Sequence, residues 1–160
     1  MKSVIVICGD RYWTDFNEID KFLDYIQLEF KAEDITIIHG KCKGADRIAG
    51  YLAKLKGMTV IAEEAHWELF GHSAGPRRNE FMIAQYHPDM IVGFHDNYEK
   101  SKGTKDMLTR GKDHNIYTVL VTHEKVITIH SKTLTVEQSF TKEYLDKLNM
   151  PEEERKKELW

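Results

Sequence analysis

Residues 67–82, WELFGHSAGPRRNEFM, place a glycine-rich loop directly before the start of a helix. Gly75 and Pro76 prevent a regular element from crossing the loop, and proline is favoured at the first position of a helix. Arg78 and Asn79 follow in the first turn, where free backbone N–H groups and the helix dipole attract anions. Because arginine binds planar oxyanions through paired hydrogen bonds, the stretch predicts a phosphate or carboxylate site. The alternative is a capped surface helix with solvated charges.

Short apolar runs alternate with amphipathic segments on both sides of this loop. Strands are predicted at residues 4–8, 35–38, 59–62, 90–94 and 116–121. Helices are predicted at residues 19–30, 48–55, 76–87 and 104–114. Continuous apolar strands without polar alternation are typical of a sheet that is covered on both faces. Repeated strand–helix units with short connections therefore predict an α/β fold, a doubly wound parallel sheet of about five strands with right-handed crossovers.

The C-terminal part of the chain has a different pattern. Residues 126–129 and 134–136 predict short antiparallel additions at a sheet edge, and apolar residues at 144–148 predict a C-terminal helix. Pro151 starts a charged segment that is either a solvated helix or a frayed tail. We therefore expect one domain overall, with residues 1–122 as the α/β unit and residues 123–160 as an extension packed on it.

Composition and charge exclude several classes of protein. The net charge of −3 provides no basic face for duplex nucleic acid. No apolar run approaches the ~20 residues of a membrane span, and the opening MKSVIVICGD turns polar too early for a signal peptide. Two cysteines are too few for a disulfide framework, so we expect free thiols and a cytoplasmic protein. The histidines lack metal-ligand spacing, and we expect neither a metal nor a cofactor.

Glycine-rich turns follow several of the predicted strands. They are GDR at residues 9–11, HGKCKGAD at 39–46, AGPRRN at 74–79 and DNYEKSKGT at 96–104. In a parallel sheet such loops meet at the carboxyl edge, and ligands bind where the strand order reverses. Together the turns predict a crevice for a phosphorylated compound. The alternative is that the glycines only cap turns, as they do in any α/β domain.

These motifs, taken in order, resemble the YspA-like, YpsA-related branch of the SLOG superfamily. The pattern is a first-strand GxR, HGxxxGAD, WxxxGxxAGPxRNxxM and a GTxDM turn, over about residues 4–121. The superfamily includes the LOG phosphoribohydrolases and the DprA proteins, and it has a Rossmann-like fold. Its members are thought to bind nucleotides or nucleotide-derived ligands, and some cleave N-glycosidic bonds. The resemblance implies that residues 1–122 form a nucleotide-binding domain.

The resemblance to LOG enzymes carries over to some positions and not to others. Arg78 falls where these enzymes have an arginine, and Gly103 and Thr104 match a GT turn that would hold a phosphate at a helix start. Met107 occupies the position of the catalytic glutamate. The nearest carboxylate is Asp106, which is turned about 100° around the helix. This departure weighs against LOG-type hydrolysis.

The candidate residues are therefore these. Ligand-binding candidates are Gly9, Arg11, His39, Gly40, Gly44, Trp67, Gly75, Arg78, Asn79, Gly103 and Thr104; catalytic candidates are Asp106 and Asp46. Asp46 is either a helix N-cap or a ribose or base contact. His39 is more typical of a buried, hydrogen-bonded histidine than of a catalyst. Trp67, like Tyr12 and Trp13, either stacks on a base or serves the core or a lid.

Two functions remain open on this basis. The chain is either a module that senses or sequesters a nucleotide-derived ligand, such as an ADP-ribose-like compound or a nucleoside phosphate, or a hydrolase of an N-glycosidic bond. Hydrolysis would need a carboxylate near the anomeric carbon, and Asp106 and Asp46 are the candidates. The expected partner is a small molecule rather than a membrane or duplex nucleic acid. A DprA-like binder of single strands fits the fold but not the acidic charge, and a homo-oligomer remains open.

Overall fold

A computed structural model describes residues 2–131, which form one six-stranded sheet with helices on both faces. The strands are β1 (Ser3–Gly9), β2 (Ile35–His39), β3 (Thr59–Ala62), β4 (Met90–Phe94), β5 (Tyr117–Val121) and β6 (Val126–His130). The helices are α1 (Phe16–Gln27), α2 (Ala45–Leu55), the short α3 (Trp67–Phe70), α4 (Ala74–Tyr86) and α5 (Gly103–Asp113). The prediction of alternating strands and helices is confirmed.

The strand order is β3-β2-β1-β4-β5-β6. β1 to β5 pair in parallel, and β6 adds to β5 as an antiparallel edge strand. The order reverses between β1 and β4, which defines the topological switch point of a Rossmann-like fold. The predicted fold class and the antiparallel addition at residues 126–129 are thus confirmed. The strand at 134–136, the C-terminal helix and the segment from Pro151 lie outside the described residues, and the domain boundary at residue 122 stays a prediction.

The sheet is buried on both faces because its central strands carry apolar residues without interruption. In β1, Ile5 and Ile7 pack into the layer that contains α1 and α2, whereas Val6 packs into the opposite layer. Met82 of α4 and Leu108 of α5 belong to that second layer. Burying a side chain of this size contributes roughly 1.5–3 kcal/mol. The hydrophobic effect therefore fixes which loops meet at the carboxyl edge.

Helix α4 begins two residues earlier than the sequence suggests. Its first residue is Ala74, so Pro76 is the third residue of the helix rather than the first. The expectation of Pro76 at the first helical position is therefore wrong. The earlier start is tolerated because the first four N–H groups of a helix have no partner within the helix, and proline has no N–H to leave unpaired.

Two predicted ligand-binding glycines, Gly9 and Gly44, lie where backbone segments approach each other closely. A Cβ at Gly9 would lie 2.7 Å from the Cβ of Ala45 and 3.0 Å from the amide nitrogen of Phe94. Gly44 has a φ of +78°, and a Cβ there would collide with the carbonyl oxygen of Asp10. That same carbonyl accepts the N–H of Ala45 at 3.1 Å. The glycines thus let the loop after β1 pack against the start of α2.

The close contact at Gly44 predicts that replacing this glycine by alanine costs more stability than backbone strain alone would. Gly57 has a similar φ of +84°, but a Cβ there would meet only Ala32, at 3.7 Å. Gly57→Ala is therefore expected to cost about 1–2 kcal/mol from the left-handed backbone. Gly44→Ala should cost a further 1–3 kcal/mol, roughly, from overpacking. Free energies of unfolding from urea titration measure both, and equal losses in the two variants would show that Gly44 is not closely packed.

Candidate functional site

The switch point is bordered by loops that leave the sheet in opposite directions. At the carboxyl edge, Gly9 pairs with Phe94, so the ends of β1 and β4 lie side by side. The chain continues from β1 to α1 on one face, whereas α5, which follows β4, packs beside α4 on the other face. Asn79 and Asp106 are bonded to each other where α4 and α5 begin. Most of the predicted site residues lie in the loop after β1, in the loop after β2, or at the starts of α4 and α5.

Arg78 is held by hydrogen bonds within the protein. One terminal nitrogen, Nη1, donates to the carbonyl of Gly40 at 2.5 Å and to that of Glu63 at 3.2 Å, while Nε donates to Oδ1 of Asn79 at 3.0 Å. A Cβ at Gly40 would lie 2.5 Å from the guanidinium carbon, so glycine makes room for this contact. Nη2 lies 3.9 Å from the sulfur of Cys42. Arg78 therefore joins the loops after β2 and β3 to α4, and only Nη2 retains N–H groups for a ligand.

Asn79 and Asp106 belong to a polar network between α4 and α5. Asn79 is buried, and its amide donates to Oδ2 of Asp106 at 2.9 Å. Arg110 donates to the same carboxylate oxygen at 2.8 Å and to Glu80 at 3.0 Å. The other oxygen of Asp106 accepts no hydrogen bond from residues 2–131. The network orients the Asp106 carboxylate and leaves one of its oxygens as an acceptor.

Asp46 is a buried carboxylate rather than a helix cap. The N-cap of α2 is Gly44, so the expectation of an N-cap at Asp46 is wrong. Its Oδ2 instead accepts the N–H of Gly40 at 2.7 Å. Burial raises the pKa of Asp46 to about 6, although the backbone hydrogen bond from Gly40 and the charge of Arg78 act in the opposite direction. Such a shifted carboxyl group is typical of functional sites.

His39 is a buried, hydrogen-bonded histidine. Its Nδ1 accepts the N–H of Lys41 at 2.9 Å, and its Nε2 faces Gly50 of α2, where a Cβ would lie 2.5 Å away. Burial, followed by the charges of Lys54 and Arg78, lowers the pKa of His39 to about 4. The ring is therefore neutral at physiological pH, with its proton on Nε2. By accepting the N–H of Lys41, His39 helps to fix the conformation of the loop after β2.

The N-terminus of α5 has one occupied and one open position. The N–H of Thr104 donates to the hydroxyl oxygen of Ser101 at 3.0 Å, and the buried methyl group of Thr104 faces Gly93 of β4. Gly103 is exposed, and a Cβ there would have no atom within 4 Å. Thr104 is therefore engaged within the protein, whereas the backbone at Gly103 can be approached from outside.

The aromatic candidates have different environments. Trp13 is buried in the core with only 4% of its surface exposed, while Tyr12 is 79% exposed, with the guanidinium of Arg11 5.8 Å from its ring centre. Trp67 is half-exposed, and a Cβ at Gly75 would lie 3.1 Å from its ring. Of these residues, Arg11 and Tyr12 are the ones exposed on the loop that borders the switch point. Trp67 lies on α3, beside the start of α4.

A cluster around His123 has no counterpart in the sequence motifs. His123 lies in the turn between β5 and β6 and contacts Asp96, Asp15 and Trp13. Asp15 and Asp96 precede His123 by 108 and 27 positions, so no local spacing connects the three. The sequence offers one general indication of this cluster. In a parallel sheet, the carboxyl ends of β1, β4 and β5 lie at the same edge, so the loops that follow them can meet.

The described part of the chain has neither a metal cluster nor a membrane-spanning helix, but it has a groove beside α4. Among residues 2–131, no three histidine, cysteine or acidic side chains group so that they could hold a metal ion. No helix in the same range is long and apolar enough to cross a membrane. A groove of about 240 Å³ lies between the loop after β3 and the start of α4, with Phe70, Arg77 and Phe81 in its wall.

Comparison with known structures first defines the class of fold, a Rossmann-like α/β domain. The X-ray structure of DNA processing protein A (DprA) from Streptococcus pneumoniae matches with a TM-score of 0.58 at 12% sequence identity. The match covers 91% of this chain and 56% of that chain, so the present chain spans little more than half the length of its structural neighbour. A likeness at this level of identity shows the fold.

The sequence also matches a family model over its N-terminal part. The model of the YspA, cpYpsA-related SLOG family matches residues 3–70 of this chain. No curated protein matches the chain. The resemblance recognised from the motifs is thus confirmed, although the AGPRRN block at residues 74–79 lies beyond the matched range. The match to this family model suggests binding or processing of a nucleotide-related ligand.

Neutralising the buried carboxyl group should stabilise the protein at neutral pH. Asp46→Asn removes the cost of burying a charge, and its amide oxygen can still accept the N–H of Gly40. The pKa of Asp46 is higher in the folded protein than the ordinary value of 3.8, so its favourable contribution is present below about pH 4 and is lost as the pH rises to about 6. Variant and wild type should therefore differ little at about pH 4, and by on the order of 2–3 kcal/mol above about pH 6.

Urea unfolding at a series of pH values measures this difference. Asp113→Asn is a matched control, because Asp113 is exposed at the end of α5. The difference in free energy of unfolding between Asp113→Asn and wild type should show no pH-dependent change of this size. A stability gap between Asp46→Asn and wild type that does not change with pH would contradict the raised pKa of Asp46.

Proposed function

We propose that this protein binds a nucleotide-derived small molecule that carries a phosphate, at the switch point between β1 and β4, as a sensor or sequestering module. The observation that carries the proposal is the open N-terminus of α5. Gly103 is exposed with free space around it, and it begins an 11-residue helix. The dipole of such a helix and its free N–H groups favour a phosphate.

The charges around this helix start support an anionic ligand. Lys100 and Lys102 are exposed on the loop that leads into α5, and neither forms an ion pair within residues 2–131. Arg11 is exposed on the loop after β1, across the switch point. Local cations of this kind raise the concentration of anionic ligands at a site.

The polar groups nearby suit the sugar of a nucleotide. Asp106 retains one carboxylate oxygen that is free of hydrogen bonds from the described residues. That oxygen can accept a ribose hydroxyl, and Asn79 and Arg110 hold the carboxylate in place for it. Tyr12, which is exposed beside Arg11, offers a ring on which a base can stack.

Binding is favoured over hydrolysis because hydrogen bonds within the protein fix both candidate carboxylates, and burial encloses Asp46. Met107, at the position of the LOG glutamate, is buried in the apolar layer with Met82 and Leu108. Asp106 already accepts two hydrogen bonds on one oxygen, and Asp46 is 4% exposed and bonded to Gly40. A catalytic carboxylate must reach the reacting atom, and small misplacements cost orders of magnitude in rate.

One observation favours the alternative, a hydrolase of an N-glycosidic bond. The raised pKa of Asp46, about 6, would suit a general acid or base near neutral pH. For this role, the loop at Gly40 would have to move to expose the carboxyl group. We retain hydrolysis as the second candidate on this ground.

Binding at α5 predicts a specific effect of charge at Gly103. Gly103→Glu places a carboxylate where the phosphate is proposed to lie, and the open space there accommodates the side chain. Calorimetric titration with AMP, ADP and ADP-ribose should show affinity reduced about tenfold or more, as expected when a charged hydrogen bond is lost. Thr109→Glu, with the same charge change at an exposed position of α5, should bind within about twofold of wild type. Equal weakening in both variants would remove the α5 N-terminus from the site.

The chemistry is tested separately from binding. Incubation of each ligand with the protein, followed by chromatographic detection of free base, is expected to show little or no release from AMP. If a specialised nucleotide is cleaved, Asp106→Asn should abolish the cleavage while leaving binding measurable, because its amide can still hold a ribose hydroxyl. Brisk release of adenine from AMP would overturn the binding-module proposal. Release that survives Asp106→Asn would redirect attention to Asp46.

A further inference from the structure

His123 connects two loops that are distant in sequence. Its backbone N–H donates to Oδ1 of Asp96 at 2.8 Å, and its Nδ1 lies 2.7 Å from Oδ2 of the same carboxylate. Its other ring nitrogen, Nε2, lies 3.0 Å from Oδ2 of Asp15. Asp96 belongs to the loop after β4, and Asp15 to the loop after β1. One imidazole therefore bridges the loops that leave the switch point.

The geometry requires a doubly protonated ring. A carboxylate only accepts hydrogen bonds, and a neutral imidazole has a single N–H to donate. Both ring nitrogens of His123 face carboxylate oxygens, so both bonds form together only in the imidazolium. Although partial burial acts in the opposite direction, the hydrogen bonds that the ring donates to Asp96 and Asp15 raise the pKa of His123.

The ring is also fixed by aromatic stacking. His123 lies on the indole of Trp13, with ring centres 4.3 Å apart and planes inclined by 13°. Trp13 packs edge-on against Phe94 at the end of β4, and its indole N–H donates to the carbonyl of Asp15 at 2.9 Å. A cation over an indole face is stabilised by the ring quadrupole. The stack thus also favours the protonated form.

We propose that His123 is a protonation-dependent clamp that holds the loop after β1 to the loop after β4 and releases them when the ring loses a proton. The clamp closes the β5 side of the switch point, next to the proposed ligand site. It does not depend on the identity of the ligand, and all of its tests use the ligand-free protein.

The elements packed against His123 present acidic side chains to its ring. Asp15 comes from the β1 loop and also caps α1 through its other oxygen, at 3.0 Å from the N–H of Asn17. Asp96 comes from the loop after β4, as does His95, which interacts electrostatically with the Asp96 carboxylate. Within the turn of His123 itself, Glu124 and Lys125 are exposed. Deprotonation of His123 therefore leaves two carboxylates facing a ring that can donate to only one.

The direction of the pH effect follows from the raised pKa of His123. The clamp is fully formed below the ordinary histidine value of 6.5 and is lost as the pH rises through the higher, folded-state pKa. Each pKa unit of increase corresponds to an about tenfold preference of the imidazolium for the clamped loops. Because all three groups are partly exposed to solvent, the effect is local to these loops.

NMR titration of the histidine rings provides the first test. The pKa of His123 should lie above the ordinary histidine value of 6.5, and Asp96→Asn should lower it. Asp15→Asn is the sharper variant, because asparagine keeps the helix N-cap and removes only the negative charge. A His123 pKa at the ordinary value of 6.5, or one unchanged in both variants, would overturn the clamp.

Amide hydrogen exchange measures the release itself. After correction for intrinsic rates, exchange at residues 11–15 and 96–99 should accelerate several-fold as the pH passes the measured pKa of His123. His123→Gln should show fast exchange at every pH, while amides in the β4 strand remain protected in both proteins. The proposal is overturned if wild-type protection in these loops does not depend on pH, or if His123→Gln retains the wild-type profile.

Discussion

The guanidinium of Arg78 holds together the part of the carboxyl edge from which the site is built. Its bonds to the carbonyls of Gly40 and Glu63 join the loops after β2 and β3 to α4, and its bond to Asn79 orients that amide toward Asp106. Buried carbonyl groups at strand ends need donors, and leaving one unsatisfied costs about 1–3 kcal/mol. One side chain therefore satisfies backbone groups of two loops and, through Asn79, helps to position the Asp106 carboxylate of α5.

Close packing at the carboxyl edge concentrates ligand access at one place. Gly9, Gly40 and Gly44 are glycines because neighbouring backbone or the Arg78 side chain occupies the space a Cβ would need. Gly103 has open space instead. A site assembled in this way is rigid where loops meet one another, and open where a helix N-terminus meets solvent. Rigid support around an open anion position is the arrangement that binding of a phosphate requires.

The sequence predicts the fold better than it predicts the roles of individual residues. The continuous apolar runs of the strands determine a parallel sheet, because only burial on both faces accommodates them, but they do not give the order of its strands. Arg78 was expected to bind an anion, but a guanidinium binds carbonyl oxygens equally well, and sequence does not reveal that Gly40 lies within reach. The His123 cluster was missed because its members come from three loops whose meeting depends on strand order.

Backbone amide shifts recorded while ADP-ribose is added test the central claim most directly, because they locate the site without assuming it. If the phosphate binds at the switch point, the largest changes will fall at Gly9, Arg11, Asn79 and Gly103 and in the first turn of α5. Changes confined to the groove near Phe70, or saturating shifts that leave the α5 N-terminus unmoved, would contradict the account.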